Sequence, residues 1–334
     1  MNRVYAIALT AFREAIRDRI LFAVLGLGAA LVCLGLGMGA LSTGDTTRIV
    51  VDQGLATISV LSNLVAIFLG ANFLYKELEL RTLYVLLAKP VARHEVVLGK
   101  FTGVLVTVAV FIAVTASVLL VLVTLTAAEE SVASITRAQH VLGVGYQLAR
   151  SRGVRLAALV GVFAIGPVAL IVPAVRRRLT IGTVLPITLA FFAVLATMAH
   201  AVEPRETEFV LSGCALVLCE VMITAAFSML FSSFSTPFVT GLMSAGVFAI
   251  CRSTWLMQHI HVRNFPETAR LMLETLARVV PNLHLFVPER AVLSPEIPSA
   301  SIALYAAELA LYAGGYAGLL LFASSLLFRR RDLL

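Results

Sequence analysis

Charge is what this chain has least of. Only 13% of its 334 residues are Asp, Glu, Lys or Arg, against roughly 25% in soluble globular domains. That excludes an ordinary soluble fold. Cysteine is sparse as well. Cys33, Cys214, Cys219 and Cys251 all fall in or at the ends of apolar runs and form no CxxC pair. This excludes a disulfide scaffold and a zinc cluster, and the four are expected to be free thiols acting as small hydrophobes. No GxxxxGK[ST] loop is present: Gly99-Lys100 is followed by Phe101 and lacks the upstream glycine. Without such a loop the chain is not expected to bind and hydrolyse ATP itself. HExxH and GxSxG are also missing, and neither an enzymatic activity nor a cofactor or metal is expected. Alternating segments of about ten residues, the mark of a membrane β-barrel, do not occur. No internal repeat stands out, and the longest non-spanning segments, about 30 to 45 residues, are too short for an independent soluble core.

What fills the chain instead is apolar surface. Hydrophobic residues make up 60% of it and the mean hydropathy is +0.96. Several runs approach or exceed the roughly 18 residues that span a bilayer as a helix. The fold class is therefore an all-α polytopic membrane protein forming one transmembrane domain over residues 1–334. Residues 1–18 precede the first span. Val4, Ile7, Ala8, Ala11, Phe12 and Ala15 recur at i, i+3, i+4 spacing with Arg3, Arg13, Glu14, Arg17 and Asp18 mostly opposite, which predicts a helix lying on the inner leaflet. A cleavable signal is not expected, because that segment is long and mixes acids with bases.

Spans are predicted at about 20–41, 54–75, 97–125, 156–175, 181–200, 209–231, 238–250 and 302–328. Five glycines, at 26, 28, 35, 37 and 39, give the first a small-residue surface suited to close packing in lipid. Six spans is the alternative, with 156–200 as a re-entrant or peripheral pair. Polar segments STGDTTR and EPRETE and the SSFSTP turn separate the runs. The segment 258–299 carries five prolines, which argues against a span there. Its stretch from Ala269 to Val280 has an apolar stripe and predicts a short helix at the outer interface.

Charge placement orients the spans. With the N-terminus inside, eight spans put the Lys76–Lys100 block, Arg176-Arg177-Arg178, the SSFSTP turn and Arg329-Arg330-Arg331 on the cytoplasmic side. Three of those four are rich in Lys and Arg, as the positive-inside rule requires. The arginines at 150, 152 and 155 run against it. The net charge of +7 is accounted for by basic residues at span ends near anionic headgroups. No nucleic-acid motif accompanies it, and no nucleic-acid partner is expected. The expected location is the cell (inner) membrane, with both termini cytoplasmic.

The most informative stretch is KELELRTLYVLLAKPVARHEVVLGK, Lys76 to Lys100, with eight charged residues between two apolar runs. Charge at bilayer depth costs several kcal/mol by most scales, so the block sits outside the hydrocarbon. Leu80, Leu83 and Leu87 recur at helical spacing with Glu77, Glu79 and Arg81 off that stripe. A short amphipathic surface helix over 76–89, ended by Pro90, is predicted. Within the spans, Glu220 and Glu308 are the clear charges. Each is either functional or a carboxylate hydrogen-bonded to a neighbouring helix. The pair His259 and His261 is a weak candidate for a soft metal against ordinary surface histidines.

The run E-x-E-x-R-T-L-x-x-L-L-A-K-P-V-x-R-x-x-x-x-x-G-K, Glu77 through Lys100, resembles the signature after the second span of ABC-2 type permeases, especially the branch typified by the nitrous-oxide-reductase maturation permease. Ser228 to Phe248, SMLFSSFSTPFVTGLMSAGVF, resembles a later span junction, and the N-terminal helix resembles the family's elbow helix. Residues 126–208 depart from the six-span pattern and are expected to be an insertion with two more spans. The resemblance implies the membrane subunit of an ABC exporter, paired with a second permease subunit as a homodimer or heterodimer and driven by a separate ATPase. It implies a coupling helix at 76–89, with Glu77, Glu79, Arg81, Thr82, Leu83, Pro90 and Arg93 as contact and positioning residues. The competing expectations are an ion-coupled secondary transporter and a non-transporting membrane scaffold.

Overall fold

The computed structural model describes residues 2–41, 46–79, 93–142, 181–254, 275, 280–287 and 299–330. Among them the regular structure is helical: α1 (Asn2–Arg17), α2 (Arg19–Ala40), α3 (Thr46–Glu79), α4 (Arg93–Leu142), α5 (Ile181–Val202), α6 (Pro204–Ser232), α7 (Pro237–Arg252), a 3-10 turn (Leu283–Phe286) and α8 (Ser299–Arg330). Six carry stretches long and apolar enough to cross a membrane: Arg19–Gly39, Thr46–Asn72, His94–Ala127, Leu185–Val202, Pro204–Ser232 and Leu304–Leu327. Helix α7 is shorter but also apolar.

The helices start and stop differently from the hydropathy runs in several places. Helix α3 begins at Thr46, so half of the STGDTTR segment is its first turn. It then continues past Tyr75 through Lys76, Glu77 and Glu79 without a break. Its 34 residues make it about 51 Å long, well over the roughly 30 Å hydrocarbon core. Helix α4 is longer still at 50 residues, about 75 Å, and absorbs Glu129 and Glu130. EPRETE is not a loop: Glu203 alone separates α5 from α6. Pro204 opens α6, where its missing N–H costs nothing, and Glu206 lies in the first turn. Residues 156–175, the basic turn 176–178, His259, His261 and most of 269–280 lie outside the described residues.

The chain divides into two compact units. The first comprises Met1–Ala15, Ser62–Val108 and Ala215–Leu334. In it, α1 buries Ala8, Ala11, Phe12 and Ala15, the stripe read from its sequence. It crosses α4 where that helix carries Gly99 and Gly103. A Cβ on Gly99 would fall 2.7 Å from the Ile7 Cβ, and one on Gly103 2.7 Å from the Ala11 Cβ. Only glycine allows that approach. Helices α6 and α7 form an antiparallel hairpin closed at Ser233–Thr236. The Ser233 amide donates to the Leu230 carbonyl, the Ser235 hydroxyl donates to the Phe231 carbonyl, and Pro237 sits at the start of α7. Helix α8 runs parallel to α6: Leu309 and Ala313 pack in one cluster with Leu216 and Ile223, and further on the Ser324 hydroxyl donates to the Met229 carbonyl at 3.4 Å.

The second unit comprises Ile16–Leu61 and Ala109–Cys214. Asp18 caps α2 by accepting from the Ile20 amide at 3.0 Å. Helices α2 and α3 pack antiparallel, with Gly28 near Leu61, Gly35 near Val50 and Gly39 near Thr46. Among the described residues, a Cβ on Gly26 or Gly37 would meet nothing within 4 Å, so three of the five glycines take part in this packing. Helix α4 returns antiparallel along α3, where the Thr47 hydroxyl donates to that of Thr126 at 3.0 Å and Leu119 fills the space above Gly54.

Candidate functional site

Two places carry the candidate residues, and both belong to the first unit. The first is the charged block. Lys76, Glu77 and Glu79 fall in the last turn of α3, and Arg93 is the first residue of α4. Arg81, Thr82, Leu83 and Pro90 lie outside the described residues. The start of the block is thus the end of a membrane-spanning helix, not a separate element after Tyr75. Lys100, near its far end, is 5% exposed, which places the end of the block inside the packed helices.

The second place is the middle of α6. Glu220 is fully buried. It lies twelve residues before Ser232, about 18 Å from the end of the helix. Its carboxylate accepts from the Arg252 guanidinium at the end of α7, and the Arg252 side chain is 26% exposed. A buried carboxylate is tolerable at this depth only with such a partner. Arg252 had no place among the candidates read from sequence, because it follows the short apolar run 238–250. Glu308, the other carboxylate, stands apart on an exposed face of α8.

Glu220 is also the first rung of a polar ridge. Thr224, Ser228 and Ser232 follow it at every fourth residue, all at most 2% exposed. Each reaches α3. The Thr224 hydroxyl donates to the Asn63 side-chain oxygen, that of Ser228 to the Ile67 carbonyl at 2.9 Å, and that of Ser232 to the Ala71 carbonyl at 3.2 Å. The partners on α3 also step by four, so α3 and α6 lie parallel and in register. Gly70 makes room: a Cβ there would stand 2.8 Å from the Ser228 Cβ. The signal was present in the sequence as an i, i+4 row of polar residues in an apolar run. Its partner on α3 lies 161 residues away, and no local pattern points to it.

Beyond Arg252, a polar cluster holds the 3-10 turn. The Thr254 hydroxyl donates to the Asn282 side-chain oxygen at 3.0 Å, and the Asn282 amide donates to the Tyr312 hydroxyl at 3.1 Å. The Tyr305 hydroxyl donates to the Leu285 carbonyl at 2.8 Å. Leu283 and Phe286 are buried with Cys251, Leu309 and Ala313. Leu283–Phe286, in the segment where no span was expected, thus packs against residues of α6, α7 and α8. Among the described residues no group of three His, Cys, Asp or Glu is placed to hold a metal ion.

Residues 5–333 match the family described as ABC-2 family transporter protein. The chain belongs to this family. The match covers nearly its whole length, including residues 126–208, and identifies a transporter permease with a multi-pass helical membrane domain. It reaches the family and not the branch suggested by the Lys76–Lys100 motif. No curated protein matches the chain.

Proposed function

We propose that this ABC-2 permease is the membrane subunit of an ATP-binding-cassette exporter, energised by a separate ATPase that seats on the block around 76–89. The observation that carries the reading is the run of α3 out of its spanning stretch through Lys76, Glu77 and Glu79. A push on the block meets a stiff helix directly and does not dissipate in a loop. In a two-state transporter, closure of the ATPase dimer on ATP would displace that end and shift the spans between inward and outward forms. Two permease subunits, identical or not, would enclose the pathway, and the inserted segment around Leu283–Phe286 would close its outer end.

The proposed topology has both termini cytoplasmic and eight spans in the inner membrane. Helices α3, α6 and α8 run parallel, which requires an odd number of crossings between each consecutive pair. Helix α7 supplies one between α6 and α8. Between α3 and α6, helices α4 and α5 supply two, so a further crossing before α5 fits the proposed span at 156–175. An ion-coupled transporter fits less well. Proton relays use chains of ionisable groups, and Glu220 is instead committed to Arg252.

The test is co-purification. The tagged chain, expressed with its genomic neighbours and extracted in mild detergent, should bring down a protein with a phosphate-binding loop and raise that protein's ATP hydrolysis. A chain that purifies monodisperse with no ATPase would sink the exporter reading in favour of the scaffold.

A further inference from the structure

We propose that α3 and the second half of α6 move as one body, so that a push received at the charged block reaches the α6–α7 hairpin and its Glu220–Arg252 pair. This rests on the permease reading above. The geometry carries it in three steps. First, the tie is a register and not a single bond: Asn63 with Thr224, Ile67 with Ser228 and Ala71 with Ser232 keep one offset over two helical turns. Lipid offers no water to replace these bonds if the helices part.

Second, the register has a steric lock. Ser228 fits only because residue 70 lacks a Cβ, the nearest approach being 2.7 Å to its hydroxyl oxygen. A slip of one turn would bring Ser228 against the Cβ of Ala66, where the same approach is closed. Packed helices of this kind slide poorly and tend to translate together.

Third, the tie joins the two candidate places. Ala71 lies eight residues before Glu79, about 12 Å from the last turn of α3. At the other end, the Thr224 hydroxyl also reaches the Glu220 carbonyl at 2.9 Å, one turn from the carboxylate that holds Arg252. Thr224, Ser228, Ser232 and Gly70 are positioning residues in this account. They would touch neither substrate nor ATPase.

The experiment locks the two helices. Asn63→Cys and Thr224→Cys are introduced where the four native cysteines have been replaced by alanine. The complex with its ATPase is placed in liposomes of phosphatidylethanolamine and phosphatidylglycerol. Disulfide yield is measured without nucleotide and with ATP plus vanadate, and ATP hydrolysis is measured before and after oxidation. One body predicts equal yield in both states and hydrolysis within twofold of the reduced complex. A disulfide that forms in one state only, or in neither, overturns the inference. So does a fall of more than tenfold on oxidation that dithiothreitol reverses. The converse variant, Thr224→Val with Ser228→Ala and Ser232→Ala, should still bind the ATPase but lose at least fivefold of the stimulated hydrolysis. Wild-type stimulation there would also overturn it. Failure of the parent chain to bind any ATPase is a separate result, which removes the permease reading and this inference with it.

Discussion

Replacing Arg252 with methionine should destabilise the protein by about 3–4 kcal/mol. Glu220 is fully buried in the structure and its carboxylate pairs with the Arg252 guanidinium. Removing one member of a buried pair typically costs about 3–5 kcal/mol. Glu220→Gln should cost less, about 1–2 kcal/mol. Arg252 is 26% exposed and can turn toward polar surroundings, and glutamine keeps an acceptor near it. The double variant Glu220→Gln, Arg252→Met should cost no more than the first single, because paired buried charges replaced together by groups of similar volume are often nearly neutral. The cycle therefore predicts a coupling of at least about 1–2 kcal/mol. Thermal unfolding in mild detergent, followed with a thiol-reactive dye, would read it, since Cys214 and Cys251 are buried in the folded protein. At about 2–4 °C per kcal/mol for domains of 150–250 residues, Arg252→Met should lower Tm by roughly 6 °C or more. Additive singles, or an unchanged Tm for Arg252→Met, would show that the pair is not formed and would remove the anchor of α7 on α6.

Gly70→Ala should cost about 1–3 kcal/mol by overpacking, because Ser228 cannot swing clear of a Cβ at 2.8 Å; adding Ser228→Gly should recover most of the lost Tm, and no recovery would place the clash elsewhere. Asn282→Ala removes the acceptor of Thr254 and of the His284 amide, and should free the 3-10 turn so that a cysteine at Leu283 reacts with an aqueous maleimide at least tenfold faster; equal rates would show that the turn is held by packing alone. In intact cells lacking the native cysteines, an impermeant maleimide should label Val202→Cys and spare Arg177→Cys; the reverse would refute the eight-span arrangement.

Much of the fold was legible because lipid imposes a coarse rule. Apolar runs of bilayer length become helices, and α2, α5 and α7 start within two residues of where their hydropathy runs do. The ends of α3 and α4 were less legible. Hydropathy falls where a helix leaves the hydrocarbon, but backbone hydrogen bonding does not stop there, so Lys76–Glu79 and Glu129-Glu130 remain helical. The face of α1 was read correctly from local periodicity, since Ala8, Ala11, Phe12 and Ala15 bury together. What could not be read was pairing. Thr224, Ser228 and Ser232 form an i, i+4 row in an apolar run, but nothing local names α3 as the helix they reach. The pairing of Arg252 with Glu220, 32 residues away, likewise has no local signal. The 3-10 turn hid for a different reason: its segment is rich in proline, and a single buried turn leaves no periodicity to detect.

The central claim is that the chain is driven through its charged block, and charge reversal there tests it most directly. Glu77→Lys with Glu79→Lys places two positive charges on the last turn of α3, outside the Thr46–Asn72 spanning stretch, so insertion and folding should be unaffected. The account predicts that ATPase co-purification falls at least tenfold, with Tm within about 2 °C of wild type. A doubly reversed chain that binds and stimulates its ATPase at the wild-type level would contradict the account, because the block would then not be where the force enters.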